Sequence, residues 1–199
     1  MEAFSQLLTE RFCGVGNVSA AQVQQLYSHY QLLVRWNRVL NLTSIVNVEE
    51  MVVRHYCESL FLGLHLPLEP VSVLDVGSGA GFPGIPMAIL RPDCRFTLAE
   101  SHQRKAVFLR EASRALGNVR VVARRAEQIE ETFEWVVSRA VGWKEVLPVA
   151  RRQARRVALL LGERDAEEVC TQPGIVWQPA ARIPWGRQQV LVLGQLCST

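Results

Sequence analysis

The stretch VLDVGSGAGFPG, residues 73–84, decides the fold, because an apolar strand in it runs directly into a glycine-rich turn. A strand and turn of this kind open the ligand-binding half of many parallel α/β sheets. From residue 71 onward, short apolar runs alternate with helical segments, which indicates a parallel sheet. We predict parallel strands at 71–76, 95–100, 119–123, 134–139 and 156–161, and a C-terminal antiparallel hairpin that turns near Trp185 and Gly186. The expected fold class is therefore α/β and Rossmann-like, with a mostly parallel seven-stranded sheet.

The first third of the chain has the period of helices rather than strands. Ser19 is a predicted N-cap, and apolar residues recur at helical steps from there to about Leu40. A shorter helix is expected before it, and Asn47 predicts the start of another. Two prolines then interrupt the pattern. We expect a helical cap and substrate-binding region over residues 1–66 and the sheet domain over residues 67–199.

Composition limits the classes of protein that fit. The 22 Lys and Arg residues exceed the 19 Asp and Glu residues by only three, a net charge too small to require a polyanionic partner. Arginines do cluster, at residues 120–125 and in RRQARR, residues 151–156. Arginine suits phosphate recognition, but the same bias can reflect genome composition.

Cysteine usage is typical of a reducing compartment, and the N-terminal segment lacks the features of a signal peptide. The five cysteines are scattered, without C-x-x-C spacing or companion histidines, so we expect neither a metal site nor a disulfide framework. The N-terminal segment carries acids, and no apolar run approaches the roughly 20 residues that span a bilayer. We expect a cytoplasmic protein without membrane association.

The glycine turn contains a literal G-x-G-x-x-G, which by itself would suggest a dinucleotide pyrophosphate. That match begins at Gly79, three residues past Val76, and is out of phase with the strand. Pro83 and Pro86 remove backbone N–H donors from the start of the following helix. Asp75 adds a carboxylate at the strand end, where it would repel phosphate and attract a cation. The pattern therefore argues against a dinucleotide.

In phase with the strand, the three glycines are Gly77, Gly79 and Gly81. This arrangement resembles the cofactor loop of class I S-adenosylmethionine-dependent methyltransferases, whose cofactor has no phosphate and carries an ammonium and a sulfonium. Glu100, at the end of the second strand, is placed to accept both ribose hydroxyls. Ala126 and Glu127 follow the third strand, where such folds contact adenine.

The sequence also limits what the acceptor can be. An Asp/Asn-Pro-Pro-aromatic run for exocyclic amines is absent after the fourth strand, where Ser138, Arg139 and Ala140 stand instead. No cysteine follows a proline, as cytosine carbon methylation commonly needs. The remaining acceptors are a ring nitrogen that is already nucleophilic, such as guanine N7, and a group activated in some less obvious way.

The whole chain resembles one family, the glucose-inhibited-division B proteins, which methylate guanine N7 in the small-subunit (16S) ribosomal RNA of bacteria. The matching segments are WNRVLNLTS (36–44), VRHYCESL (53–60), LDVGSGAGFPGIP (74–86), TLAES with a following Arg-Lys pair (97–105), RAE (125–127) and SRA (138–140). The resemblance implies the class I methyltransferase fold with an N-terminal helical extension, S-adenosylmethionine as cofactor and ribosomal RNA as partner. We expect a monomer.

Loop chemistry and the resemblance together give a set of candidate residues. The expected cofactor-binding residues are Asp75, Gly77, Ser78, Gly79, Gly81, Phe82, Glu100, Ala126, Glu127 and Arg139. The expected catalytic residues, which would orient the base and the phosphates, are Arg104, Lys105 and Arg139. His55, Glu58 and Ser59 share one helix face, and we favour interdomain hydrogen bonding over catalysis for them.

The chain departs from the family pattern at two positions. The family usually has a lysine before the glycine that ends the fifth strand, but here Leu161 precedes Gly162. Arg164 could supply the missing cation. The second departure is Glu58, which replaces an aspartate. Because this lysine is missing, a second function stays open: an RNA-binding module that binds the cofactor but does not catalyse methyl transfer. A small-molecule methyltransferase is a further alternative.

The arginine cluster RRQARR gives a separate hypothesis. If the segment is one helix, Arg151 and Arg155 lie one turn apart, as do Arg152 and Arg156, and like charges at that spacing destabilise a helix. A polyanion would relieve the repulsion. Reversing Arg151 and Arg155 to glutamate would then weaken RNA binding.

Overall fold

The computed structural model of the chain describes residues 2–186 and 188–197. Its sheet has the strand order β3-β2-β1-β4-β5-β8-β6, with a short β7 paired to β8. The strands are β1 (Ser72–Val76), β2 (Arg95–Ala99), β3 (Val119–Val122), β4 (Phe133–Arg139), β5 (Ala154–Gly162), β6 (Ile175–Trp177), β7 (Ala181–Arg182) and β8 (Gln189–Leu196). Strands β1 to β5 are mutually parallel. Strand β8 runs antiparallel to β5, β6 and β7.

Helices precede the sheet and alternate with its strands. They are α1 (Glu2–Phe12), α2 (Ala20–Leu40), α3 (Val48–Met51), a π-helical segment (Val52–Cys57), α4 (Glu58–Leu64), α5 (Gly84–Leu90), α6 (Gln103–Ala112), a 3-10 turn (Ala126–Gln128), α7 (Trp143–Gln153) and α8 (Glu163–Cys170). The predicted cap of the long helix is confirmed, because the Ser19 side chain accepts a hydrogen bond from the Gln22 amide. Asn47 caps the next helix by accepting from the Glu50 amide.

Strand order places the functional edge of the sheet. The chain moves outward from β1 to β3, then returns to place β4 on the other side of β1. In parallel sheets, ligands bind outside the carboxyl ends of the strands where the order reverses. That edge holds the segments after Val76, Ala99 and Arg139.

Two predictions about the C-terminal third need correction. The first arm of the predicted hairpin is broken into β6 and β7, which gives eight strands instead of seven. RRQARR is not one helix, since α7 ends at Gln153 and β5 begins at Ala154. The predicted helical repulsion between Arg151 and Arg155 is therefore wrong. Arg155 lies at the amino end of β5, the edge of the sheet opposite the β1 turn.

The helices before the sheet share a hydrophobic core with one face of it. Phe4, Leu26 and Tyr56 belong to the same buried cluster as Val73 and Phe96 of the strands. The division at residues 66 and 67 stays a prediction, but the segments on its two sides pack as one body.

Two classes of feature are missing from the described ranges. Across residues 2–186 and 188–197, no helix combines the length and the apolar character needed to cross a membrane. The same residues contain no cluster of three or more His, Cys, Asp or Glu side chains placed to hold a metal ion.

Candidate active site

A cavity of about 560 Å³ lies at the carboxyl ends of the central strands. Its wall is formed by the turn after β1, the ends of β2 and β4, the loop after α2, the π-helical segment and the start of α6. The lining residues are Asn41–Ile45, Arg54, His55, Gly77–Ala80, Phe82, Glu100, Lys105 and Arg139–Val141. Its volume lies within the range of small-molecule and cofactor pockets, about 300–1,000 Å³.

A second, larger cavity of about 930 Å³ shares Arg54 with the first. Its wall carries three carboxylates, those of Glu49, Glu50 and Glu58, against the single cation of Arg54. We place the chemistry in the smaller cavity because the glycine turn and the sheet edge open there.

The glycine turn adopts a conformation that requires glycine at three positions. Gly77, Gly79 and Gly81 have φ angles of 70°, 54° and 90°, in the left-handed region. A Cβ on Gly77 would also lie 2.4 Å from Cγ2 of Val141. Gly84 has no such φ. The three glycines in phase with the strand are thus the ones whose backbone forms the turn.

Asp75 lies behind the turn and is fully buried. Its Oδ2 accepts a hydrogen bond of 3.0 Å from the Gly84 amide, and Oδ1 has no partner among the described residues. Burial raises the pKa of this carboxyl to about 7. The carboxylate is outside the cavity wall, in contrast to the expected position facing a cationic ligand. Its contact with a cofactor stays a prediction.

Glu100 presents its carboxylate to the cavity in a fixed orientation. Oε2 accepts from the Gly79 amide at 3.0 Å and Oε1 from the His102 amide at 2.7 Å. Each carboxylate oxygen has a second lone pair, so both can still accept from a ligand hydroxyl. The geometry fits the predicted role in holding a diol.

Arg139 ends β4 and joins the sheet to the helical segments. Its Nη1 donates to Nδ1 of His55 at 2.7 Å, and Nη2 lies 3.3 Å from Oε2 of Glu58. The Gln189 amide, turned so that its nitrogen donates, reaches Oε1 of Glu58 at 2.7 Å. These bonds agree with the interpretation of His55 and Glu58 as interdomain hydrogen-bonding residues.

The ionisation states in this cluster follow from burial. Desolvation, helped by Arg139, lowers the pKa of His55 to about 3. A neutral His55 accepts on Nδ1 and donates from Nε2 to Oγ1 of Thr43, 2.7 Å away. Desolvation raises the pKa of Glu58 to about 7, and Arg139 opposes that shift.

Lys105 and Arg104 differ in their placement. Lys105 lines the cavity, whereas Arg104 is exposed on α6 and is not part of the wall. Leu161 is buried in β5 and Arg164 is exposed on α8, so neither supplies a cation to the cavity wall. Lys105 and Arg139 are the two proposed catalytic cations that reach it.

Ala126 and Glu127 lie in the 3-10 turn after β3. The Ala126 carbonyl accepts from the Gln153 amide group at 3.1 Å, and the Glu127 carbonyl accepts from Arg152 at 2.6 Å. These bonds fix the turn, but neither residue is part of the cavity wall. Their contact with adenine stays a prediction.

Sequence reasoning missed His29, Tyr56, Thr43 and Val141. His29 is buried on α2 and bonds the Ala80 carbonyl and the Tyr56 hydroxyl. The only sequence signal for it is spacing: it lies between the buried Leu26 and Leu33, a polar residue on an apolar helix face.

The chain is similar to one known family over most of its length. A family model described as rRNA small subunit methyltransferase G matches residues 22–173. A protein named ribosomal RNA small subunit methyltransferase G from Serratia proteamaculans is 38% identical over 173 residues, covering 81% of this chain and 82% of that protein. The protein of the same name from Dichelobacter nodosus is 41% identical over 166 residues, covering 78% and 76%.

Solved structures show the same fold at low sequence identity. Magnesium protoporphyrin IX methyltransferase from Synechocystis, solved with bound SAH, superposes with a TM-score of 0.63 at 14% identity, covering 88% of this chain and 98% of that chain. A SAM-dependent methyltransferase from Aquifex aeolicus gives 0.60 at 15% identity, covering 74% and 93%. The predicted class I methyltransferase fold is confirmed. With a family model that matches most of its length, the chain belongs to the rRNA small subunit methyltransferase G family.

Proposed function

We propose that the chain transfers the methyl group of S-adenosylmethionine to N7 of a guanine in small-subunit ribosomal RNA. The observation that carries the proposal is the placement of the in-phase glycine turn, Glu100 and Arg139 around one cavity in a member of this family. The relatives' name supplies the class of acceptor, and the absence of a base motif in the sequence supports the N7 atom.

The cavity fits S-adenosylmethionine by its own chemistry. A Cβ on Gly79 would meet only the Gly77 carbonyl oxygen, at 3.7 Å, so a ligand can approach this backbone closely. Glu100 offers two anchored acceptor oxygens for a ribose diol. When bound, the cofactor supplies a methyl group on a positively charged sulfur.

The charges of the wall suit an anionic acceptor. The wall carries Arg54, Lys105 and Arg139 against the single carboxylate of Glu100. Arg54 pairs with Glu50 and Arg139 with Glu58, so Lys105 is the wall cation that has no ion-pair partner among the described residues. His55 adds no charge, because its lowered pKa of about 3 keeps it neutral. An unpaired cation in the wall favours contact with an RNA phosphate.

Methyl transfer to guanine N7 requires little acid–base catalysis by the protein. Guanine N7 has an exposed lone pair and no proton to remove, so a general base is unnecessary. The residues would act by orientation and by excluding water. Arg139, fixed by His55 and Glu58, would orient the base, and Lys105 would hold a phosphate.

The experiment is label transfer from methyl-labelled S-adenosylmethionine to small-subunit RNA from cells that lack the modification. We expect label in the RNA. Glu100→Gln, which keeps the shape and removes the charge, should lower transfer at subsaturating cofactor. Glu134→Gln is the matched control. Glu134 is exposed near the amino end of β4, whereas the cavity lies at the carboxyl end of that strand.

Each outcome has a distinct meaning. Cofactor binding without label in RNA would contradict the proposal and favour a non-catalytic RNA-binding module. Label in small molecules alone would favour the small-molecule alternative.

A further inference from the structure

An aromatic cluster joins the helices before the sheet to the turn after β1. Phe82 of the turn stacks on His55 with ring centroids 4.6 Å apart. His29 and Tyr56 meet it edge-on, at 5.2 Å and 5.1 Å. The turn that lines the cavity is therefore packed against side chains from α2 and the π-helical segment.

Hydrogen bonds fix the direction of the His29 ring. Nε2 lies 3.0 Å from the Ala80 carbonyl oxygen, and Nδ1 lies 2.9 Å from the Tyr56 hydroxyl. A carbonyl oxygen only accepts, so Nε2 carries the proton and Nδ1 accepts from Tyr56. Burial lowers the pKa of His29 to about 4, which keeps this neutral tautomer at ordinary pH.

The bond to Ala80 differs from the bonds that tie the turn to the sheet. The Gly77 and Ser78 amides donate to the Ala99 carbonyl of β2. The Gly79 amide donates to Glu100. Both partners, Ala99 and Glu100, lie at the carboxyl end of β2. His29 alone among the described side chains bonds the turn from the helical side, through a carbonyl whose residue is 6% exposed.

Removing the His29 donor would leave a buried carbonyl without a partner. An unsatisfied buried acceptor is unfavourable, and a turn can relieve it by moving toward water. Ala80 stands between Gly79 and Gly81, both of which have left-handed backbones. A shift at Ala80 would therefore change the backbone that lines the cavity.

We propose that His29, oriented by Tyr56, is a positioning residue for the cofactor turn, so that the helices before the sheet set the affinity for the cofactor. The inference rests on the proposed binding of S-adenosylmethionine at this turn. It gives the N-terminal helices a role in cofactor binding in addition to any contact with RNA.

The test measures binding of S-adenosylhomocysteine to the full chain by calorimetry. His29→Phe keeps a ring and removes the donor, and we expect its Kd to rise about tenfold. The kcat at saturating cofactor should stay within about threefold of wild type, because the reacting atoms are untouched. His29→Gln places a donor near the Nε2 position and should restore most of the affinity.

His65→Phe is the matched control. Nδ1 of His65 also bonds a backbone carbonyl, that of Phe61 at 2.8 Å, at the end of α4 and away from the turn. The control should lose stability without losing affinity. Equal Kd values for His29→Phe and His65→Phe would overturn the inference.

Two further results separate the possible failures. If wild-type protein does not bind S-adenosylhomocysteine, the proposed function fails first. If His29→Phe does not fold, Tyr56→Phe decides, since it removes only the hydroxyl that orients His29. We expect that variant to bind more weakly than wild type, and wild-type affinity would overturn the inference.

Discussion

At the scale of single residues, Gly77 is constrained both by its backbone conformation and by a neighbouring side chain. Its φ of 70° disfavours any side chain, and a Cβ would lie 2.4 Å from Val141. Left-handed strain and overpacking each cost on the order of 1 kcal/mol or more. We expect Gly77→Ala to lower Tm by roughly 5 °C and to weaken binding of S-adenosylhomocysteine at least tenfold.

Gly117→Ala is the control for this variant. A Cβ there would meet no atom within 4 Å, and its φ lies outside the left-handed region. Melting curves and binding isotherms should match those of wild type. Wild-type affinity in Gly77→Ala would contradict the described turn.

The ion pair of Arg139 and Glu58 predicts a pH dependence of the reaction. Glu58 has a raised pKa of about 7, so it takes up a proton as the pH falls through 7 and its attraction for Arg139 weakens. His55 stays neutral over that range, because its pKa is about 3. We expect the rate of methyl transfer to fall below pH 7.

Glu58→Gln tests this explanation. The variant should be slower than wild type at pH 8, by about tenfold or about 1.4 kcal/mol. Its rate should no longer fall between pH 8 and pH 6. An unchanged acid limb in the variant would show that another group, such as Asp75, controls the rate.

At the scale of elements, the boundary between α7 and β5 changes the expected RNA surface. Arg155 lies at the amino end of β5, whereas Lys105 lines the cavity at the opposite edge of the sheet. Charge reversal at a phosphate contact lowers the salt dependence of binding. We expect Lys105→Glu to reduce the slope of log K against log salt by about one, and Arg155→Glu to leave it unchanged. The reverse result would place the RNA on the other edge.

Local patterns predicted the elements well where one residue type decides the backbone. The cap at Ser19 and the turn at Gly77 depend on neighbouring residues, so the sequence contains the information. The broken hairpin arm and the split of RRQARR depend on pairing with β8 and β4, which no local pattern encodes.

The candidate site was predictable only in part, for the same reason. Glu100 follows a strand and a turn and can be placed by spacing. The bond between His55 and Arg139 joins residues 84 positions apart, and the inward orientation of Asp75 depends on the Gly84 amide. Such contacts arise from packing of the helices on the sheet.

At the scale of the whole molecule, four buried titratable groups have opposite effects on how the free energy of unfolding depends on pH. The pKa values of Asp75 and Glu58 are raised to about 7, so in the folded state both hold protons that the unfolded chain has lost. Those of His29 and His55 are lowered to about 4 and about 3, so the unfolded chain binds protons that the folded state excludes. Between about pH 4.5 and 6.5 the two effects nearly cancel.

The Asp75→Asn variant tests whether the effects of the acids and the histidines on the pH dependence of stability cancel. Asp75 stabilises the fold most below its unfolded pKa, and that contribution is lost as the pH rises through 7. Without it, the free energy of unfolding should rise with pH relative to wild type, by at most about 1.4 kcal/mol per pH unit. Denaturant titrations at pH 5 and 6.5 measure the difference. Parallel pH profiles for the two proteins would contradict the assignment.

The central claim concerns the atom that receives the methyl group. Small-subunit RNA from cells lacking the modification is incubated with the chain and S-adenosylmethionine, digested to nucleosides and analysed by mass spectrometry. The account predicts about one N7-methylguanosine per RNA molecule, with Glu100→Gln giving much less at limiting cofactor. Methylation at another atom, or none in RNA despite measured cofactor binding, would contradict it.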